Sequence, residues 1–323
     1  MKQINIGLLG LGNIGSGTYK ALELNRSYIE KTTGLDLRIT RILEVDTERA
    51  REFTVAPSIF TQDPDVIVGD PEIDIVIELI GGIEPATSIM VSAMKAGKSV
   101  ITANKAALAE NYEILTETAS SAGVSLRFEA SVGGGIPIIG AITESLCANE
   151  FTELLGILNS TTNFILTKMG EEGRDYYDVL KEAQSLGFAE TDPSADVDGH
   201  DLANKLSILM SLVFGTRVHP AEIPTIGITG VTKEDIAAAA EDGCVVKLIA
   251  SAYRTGENVE CFVQPTRINK EHPLADVKNE YNALFLNGNA VGSLMLYGKG
   301  AGPLPTASAV LGDVIAIAKS LKT

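Results

Sequence analysis

Between positions 187 and 205 the chain reads GFAETDPSADVDGHDLANK, in which five carboxylates (Glu190, Asp192, Asp196, Asp198 and Asp201) precede one lysine, Lys205. Glu182, just upstream, adds a sixth. The next ten residues, LSILMSLVFG, are almost wholly apolar. Asp198 or Gly199 suits the cap of a helix running into that segment. Asp201 and Lys205 are then one helical turn apart and share a face. A helix apolar on nearly all sides is buried, and a buried charged pair is costly unless it is paired and useful. Two readings stay open. The pair is either a structural ion pair or a catalytic lysine held by an aspartate at the floor of a cleft. A lysine suits the second because burial lowers its pKa toward the range where it exchanges protons.

The elements that would position such a lysine begin at the first residues. An apolar strand over 4–9 leads straight into Gly10-Leu11-Gly12-Asn13-Ile14-Gly15, and a helix over 16–24 follows. GxGxxG in this strand–turn–helix setting reads as dinucleotide binding, with the helix N-terminus facing the phosphates. A strand over 37–45 carries Glu44, 29 residues after Gly15, and an insertion over 25–36 accounts for the long gap. An acidic residue there holds ribose hydroxyls and favours NAD, whereas Arg49 and Arg51 suit a 2′-phosphate, so NAD and NADP both stand. Strands over 73–80 and 99–102, with a helix over 86–96 between them, extend a doubly wound parallel sheet. The strand ending at Thr102 delivers Lys105 to the carboxyl edge, where ligands bind; a solvated loop lysine is the competing reading. Another strand, 124–129, ends at Glu129 and passes into Val132-Gly133-Gly134-Gly135-Ile136-Pro137. Three glycines and a proline mark special backbone, and a domain hinge is its plain structural reading.

Beyond 130 the character changes. Strands over 153–158, 245–253, 259–266 and 283–297, the last with a turn at Asn287-Gly288, read as antiparallel and are interrupted by helices over 176–186 and 199–214. The expected fold is therefore α/β. A Rossmann-type doubly wound parallel sheet (1–130 plus 304–323) is joined to an α+β domain with an open mixed sheet (131–303). A helix over 306–319 is expected to pack back on the first domain. The net charge of −16 over 323 residues argues against nucleic-acid and anionic-membrane partners. No apolar run reaches membrane-spanning length, and the N-terminus lacks a signal-peptide pattern. Cys147, Cys244 and Cys261 are scattered without metal spacing and suit a reduced cytoplasm, each packing as a small apolar side chain. The three histidines, far apart, fit ordinary polar roles.

The segments GLGNIGSG (10–17), IDIVIELIGG (73–82), TANKAALA (102–109), FEASVGGGIPII (128–139), GILNSTTNFIL (156–166), LGFAETDPSADVDGHDLANKL (186–206) and AGPLPTASAV (301–310) together resemble homoserine dehydrogenase, in order and over nearly the whole chain. Two positions depart from the family pattern: Ser160 replaces the usual glycine of an NGTTN motif, and Lys299 stands where proline is common. The resemblance implies reversible reduction of aspartate 4-semialdehyde to homoserine with NAD(P)H, in threonine, methionine and isoleucine biosynthesis. It implies Lys205 as the acid/base, Lys105 as a second lysine near the reacting carbon, and Glu190 and Asp201 as substrate ligands. Gly10, Leu11, Gly12, Asn13, Ile14, Gly15, Thr102 and Lys105 would meet the cofactor, with Gly187 and Gly302 reaching it from the second domain. Glu129 and the carbonyls of Val132, Gly134 and Ile136 would hold a sodium ion; carbonyls plus one carboxylate suit a hard cation. A homodimer or dimer of dimers is implied, with 131–303 as the catalytic and dimerisation domain. Many members add a C-terminal regulatory domain or an aspartate kinase. Only positions 311–323 follow the last motif, so the expectation is weak threonine inhibition, competitive with homoserine. A dehydrogenase acting on an acyl phosphate would need a nucleophilic cysteine. Cys147, read as helical and without a nearby histidine, does not supply it. An α-carbon amino-acid dehydrogenase and a non-catalytic nucleotide sensor are the other rivals.

Overall fold

The computed structural model describes residues 2–47 and 53–321. Arg49 and Arg51 lie outside the described residues. The chain divides into two compact units, 1–135 with 302–323 and 136–301.

The first unit is built on a six-stranded parallel sheet: β1 (Lys2–Leu9), β2 (Leu35–Leu43), β3 (Phe60–Thr61), β4 (Ile75–Glu78), β5 (Ser99–Thr102) and β6 (Leu126–Arg127), in the order β3-β2-β1-β4-β5-β6. Parallel neighbours need crossovers, and the intervening segments provide α1 (Asn13–Thr33), α2 (Asp65–Val68), α3 (Ala86–Lys95), α4 (Lys105–Glu110) and α5 (Tyr112–Ala122). Strands covered on both faces are buried without alternation, as in β4 and β5, every residue of which is buried, the polar Glu78, Ser99 and Thr102 included. The strand order reverses between β1 and β4, and at such a switch point ligands bind beyond the carboxyl ends. The stretch 25–36, expected as an insertion, is mostly helix. α1 runs on to Thr33 and stops at Gly34, whose left-handed φ of 73° lets its N–H reach the Glu30 carbonyl. The strand expected over 124–129 shrinks to β6, because the chain turns into a 3₁₀ turn at Glu129–Ser131. Helix Pro303–Ser320 packs on α1, as expected, through Ala307, Val310, Val314 and Ile317. A Cβ on Gly17 would lie 2.6 Å from the Pro303 carbonyl, so only glycine permits this approach.

The second unit holds β7 (Phe151–Ile157), β8 (Cys244–Thr255), β9 (Asn258–Asn269), β10 (Tyr281–Gly288) and β11 (Gly292–Lys299) in the order β11-β10-β7-β8-β9. The expected open sheet is present, and all its ladders are antiparallel; among the described residues of this unit the one parallel pairing is an isolated bridge, Thr225 to Val263. One face carries Leu155, Ile157, Ile249 and Phe285 and packs against Leu274, Ala275 and Val277. Helices α6 (Ser160–Glu172), α7 (Tyr176–Ser185), α8 (Ser194–Val197), α9 (His200–Leu209) and α10 (Lys233–Glu241) complete the unit. The β10–β11 turn falls at 289–291 rather than at Asn287-Gly288. Asn289 bonds Glu150, and the Val291 N–H donates to Asn149 Oδ1 at 2.8 Å, so Gly292 takes the positive φ while Gly288 stays in the ladder. None of the three cysteines is fully buried, against expectation. Cys147 is exposed in a turn, not helical, because the five-residue π-helical turn Ala141–Ser145 ends before it. The ring nitrogens of His219 and His272 cap short turns, the ordinary polar role expected of them.

Candidate active site

The glycine turn divides its labour in a way the contacts make visible. Gly10 has φ 91°, and a Cβ there would sit 2.8 Å from the Leu79 carbonyl; a Cβ on Gly15 would sit 2.1 Å from the Gly10 carbonyl. Both are barred by protein. A Cβ on Gly12 meets nothing within 4 Å. The protein leaves open the space beside that glycine, as a pyrophosphate-binding turn requires. Gly12 also caps α1 without a side-chain bond, so the backbone N–H groups of Asn13, Ile14 and Gly15 face outward at a 21-residue helix's positive end. Glu44 follows β2 and accepts from the Leu11 N–H at 3.2 Å, which places its carboxylate against the same turn.

The second feature of this unit is the turn after β5. Thr102 is fully buried, and its hydroxyl donates to Glu78 Oε2 at 2.6 Å. Asn104 caps α4: its Oδ1 accepts from Ala107 N at 3.1 Å, while its Nδ2 donates to the Gly82 carbonyl at 2.6 Å. Lys105 is the first residue of α4 and half-buried. Glu78 escaped the sequence reading. The one available signal was a carboxylate at the carboxyl end of an otherwise apolar strand.

In the second unit the carboxylate-rich stretch disperses. Lys205 is 8% exposed and Asp201 5% exposed, and Lys205 Nζ lies 2.6 Å from Asp201 Oδ2 and 2.6 Å from the Leu158 carbonyl. Asn159 stands between the chain's acids: its Nδ2 donates to Asp201 Oδ2 at 2.9 Å and to Asp196 Oδ1 at 2.7 Å, and its Oδ1 caps α6 at Thr162 N. Thr161 Oγ1 adds a bond to Asp196. Gly199 caps α9 in a left-handed conformation without a side-chain bond. The remaining acids are employed elsewhere. Glu182 pairs with Arg174, and Asp192 accepts from Ser194 N, which with the Ser194 side chain lowers its pKa. Glu190 is exposed, with its backbone carbonyl tethered by Gln184 Nε2 at 3.1 Å. Gly187 is exposed at φ 76° with open space around its Cα. Ser160 leaves the Asn159 cap intact, and its hydroxyl accepts from Asn282 Nδ2 at 3.3 Å. Lys299 is an exposed ladder residue opposite Tyr281.

The residues expected to hold sodium are split by the boundary between units. Glu129, Val132 and Gly134 fall in the first and Ile136 opens the second. Gly133 and Gly134 are both left-handed (φ 74° and 58°), a backbone that turns successive carbonyls off the strand direction. The Glu129 N–H donates to Asp313 Oδ2 at 2.8 Å, and burial is the main reason that Asp313's pKa is pushed up to about 7. The Ile136 carbonyl accepts from Ile138 N at 2.8 Å, using one of two lone pairs. Among the described residues no group of three or more His, Cys, Asp or Glu side chains has metal-holding geometry. Gly302, expected to act from the second domain, instead belongs to the first unit, where it caps helix Pro303–Ser320.

Comparison with known proteins shows the family. Residues 10–129 match the family model for the homoserine dehydrogenase NAD-binding domain, and residues 137–315 match that for homoserine dehydrogenase. The homoserine dehydrogenase of Bacillus subtilis is 42% identical over 322 residues, covering 100% of this chain and 74% of its own. The structure of a Thiobacillus denitrificans homoserine dehydrogenase superposes with a TM-score of 0.93 at 43% identity, over 99% of this chain and 74% of that one. A hyperthermophilic archaeal homoserine dehydrogenase, solved in complex with NADPH, gives 0.82 at 26% identity over 99% of both chains. With an NAD-binding sheet in one unit and a buried Lys205–Asp201 pair in the other, the chain belongs to the homoserine dehydrogenase family of NAD(P)-dependent oxidoreductases.

Proposed function

We propose that Lys205 is the acid/base for the interconversion of L-homoserine and L-aspartate 4-semialdehyde, and that Asp201, Glu190 and Lys105 complete the reacting centre. The observation that carries this is the buried pair at 2.6 Å, clamped by Asn159 and the Leu158 carbonyl. The nicotinamide cofactor, when bound, takes or gives the hydride. Reduction of an aldehyde puts negative charge on its oxygen, and an ammonium held at that oxygen both stabilises the charge and donates the proton. In the reverse direction Lys205 takes the hydroxyl proton. Asp201 and Leu158 fix the ammonium's direction, so little reorientation is needed as charge develops. The substrate's own ammonium calls for carboxylates, which Glu190 and Asp201 provide.

The glycine turn Gly10, Leu11, Gly12, Asn13, Ile14 and Gly15 would carry the pyrophosphate, with Thr102, Lys105, Gly187 and Gly302 as further cofactor contacts. Both NAD and NADP fit this reading; the Glu44 carboxylate against the Leu11 N–H favours NAD. Glu129 and the carbonyls of Val132, Gly134 and Ile136 would hold a sodium ion and brace the loop. The setting is amino-acid biosynthesis leading to threonine, methionine and isoleucine, in the cytoplasm, by a homodimer or dimer of dimers. No helix of the described residues is long and apolar enough to cross a membrane. The test is the appearance of reduced nicotinamide with homoserine, offered with NAD and NADP in turn and against aspartate as the control substrate. Turnover of aspartate but not homoserine, or cofactor binding without turnover, would refute the assignment.

A further inference from the structure

Glu78 ends β4 and has no accessible surface, although Ile75, Val76 and Ile77 before it are apolar. A buried carboxylate normally calls for a cation, yet among the described residues Glu78 has no ion-pair partner. Its oxygens are satisfied by three donors instead. Oε1 accepts from Ile80 N at 2.8 Å and Gly81 N at 3.3 Å, and Oε2 accepts from Thr102 Oγ1 at 2.6 Å. The direction of the last bond matters. A carboxylate only accepts, so the single hydroxyl proton of Thr102 points at Glu78 and leaves the Thr102 oxygen to accept from Asn104 N at 2.9 Å. Asn104 in turn bonds Gly82 O and caps α4, whose first residue is Lys105. The segment 79–82 that Glu78 holds by its N–H groups also lies directly against the glycine turn: Leu79 N donates to Leu9 O, and the Leu79 carbonyl fills the space of the absent Gly10 Cβ. One carboxylate thus fixes, at the carboxyl edge of the sheet, the segment against the cofactor turn and the turn that presents Lys105.

We propose that Glu78 is a positioning residue for the reaction, acting through Thr102 and Asn104 to set the place of Lys105. This rests on the reading of Lys105 as a member of the reacting centre. A structural carboxylate would need only to be satisfied. A positioning one must accept from the Thr102 hydroxyl and from the Ile80 and Gly81 N–H groups at the same time, which glutamine, with an NH₂ in place of one acceptor, cannot do. Displacing a catalytic group by a fraction of its optimum costs about 10- to 100-fold in rate.

The test combines Glu78→Gln, Thr102→Val and Thr102→Ser with Lys105→Ala. Glu78→Gln and Thr102→Val are each expected to lower kcat about 10- to 100-fold in proteins that still melt cooperatively. Thr102→Ser, which keeps the hydroxyl, is expected to retain at least about tenfold more kcat than Thr102→Val. In the Lys105→Ala background, Glu78→Gln should change kcat by less than about twofold, since residues acting through one another are not additive. A full additional loss in that background, with Lys105→Ala itself impaired, overturns the proposal and leaves the Lys105 role standing. So does full activity of Glu78→Gln. An unimpaired Lys105→Ala removes Lys105 from the reaction and the proposal with it. Should Glu78→Gln fail to fold, the contrast between Thr102→Val and Thr102→Ser decides: equal activities overturn the relay, and a selective loss in Thr102→Val supports it.

Discussion

Replacing Lys205 with methionine keeps the length and apolar body of the side chain and removes only the ammonium. In the native protein that group lies 2.6 Å from both the Asp201 carboxylate and the Leu158 carbonyl, with each residue of the pair less than a tenth exposed. Removing one partner of a buried pair costs about 3–5 kcal/mol, because the other is left uncompensated. The Asn159 amide still donates to Asp201 at 2.9 Å, so the lower end of that range applies. For a domain of this size about 3 kcal/mol corresponds to a fall in Tm of roughly 6–12 °C. Native stabilities of about 5–15 kcal/mol leave a folded protein at room temperature. Its turnover of homoserine should fall by about 10²–10⁴-fold, the range for losing a general acid/base. Affinity for reduced nicotinamide, read by fluorescence, should hold, since the glycine turn belongs to the other unit. The double variant Lys205→Met/Asp201→Asn separates the two effects. With both charges gone the desolvation cost disappears and stability recovers, whereas turnover does not. A folded Lys205→Met protein within about threefold of wild-type turnover would refute the role. So would a double variant whose activity returns together with its stability.

Four further outcomes are expected. Glu190→Gln should raise the KM for homoserine more than it changes cofactor affinity; an unchanged KM would make Glu190 a surface residue only. Glu44→Ser should shift the ratio of kcat/KM from NAD toward NADP by removing the carboxylate that bonds Leu11 N, and an unaltered ratio would exclude Glu44 from cofactor choice. Exchange of sodium for a bulky organic cation should lower activity or Tm; indifference in both would remove the cation from the loop at Glu129. Finally, Lys247 in β8 is buried against Asn163, Thr167 and the Val277 carbonyl, and its pKa is lowered to about 8 by burial, aided by Lys278 and opposed by Glu171 and Asp276. From pH 8 to about 10 the unfolded chain therefore holds one proton more, so stability rises with pH there, and Lys247→Met should abolish that rise; an identical slope in the variant would refute it.

The glycine turn, the doubly wound sheet and the Asp201–Lys205 pair were legible because each depends on local spacing. GxGxxG after an apolar strand has one physical reading, and an i, i+4 charged pair on an apolar helix must be buried together. What escaped depends on contacts distant in sequence. The strand order of the second sheet and the place of the β10–β11 turn are set by pairings such as Asn149 with Val291, 142 positions apart. The role of Asn159 was hidden because its two carboxylates lie 37 and 42 positions away. The dispersal of the acidic stretch has the same origin. Of its members only Asp196 and Asp201 meet Asn159, and Glu182 is drawn off by Arg174.

Asp201 and Glu78 hold their lysines by different means, and the difference has chemical consequences. Asp201 touches Lys205 directly, so the carboxylate acts on the ammonium by charge as well as by position. Such a partner suits a group that must carry a proton and release it to an oxygen of developing charge. Glu78 reaches Lys105 through a hydroxyl, an asparagine cap and the first turn of α4. That relay transmits position and little charge. A lysine placed this way is suited to orienting the substrate or the nicotinamide rather than to exchanging protons. The two should therefore be separable by pH: substitution at Asp201 should displace the pH–rate profile, whereas substitution at Glu78 should lower the rate at every pH and leave the profile's midpoints in place. A shift of the midpoints in Glu78→Gln would mean that its charge, not its geometry, is what the site uses.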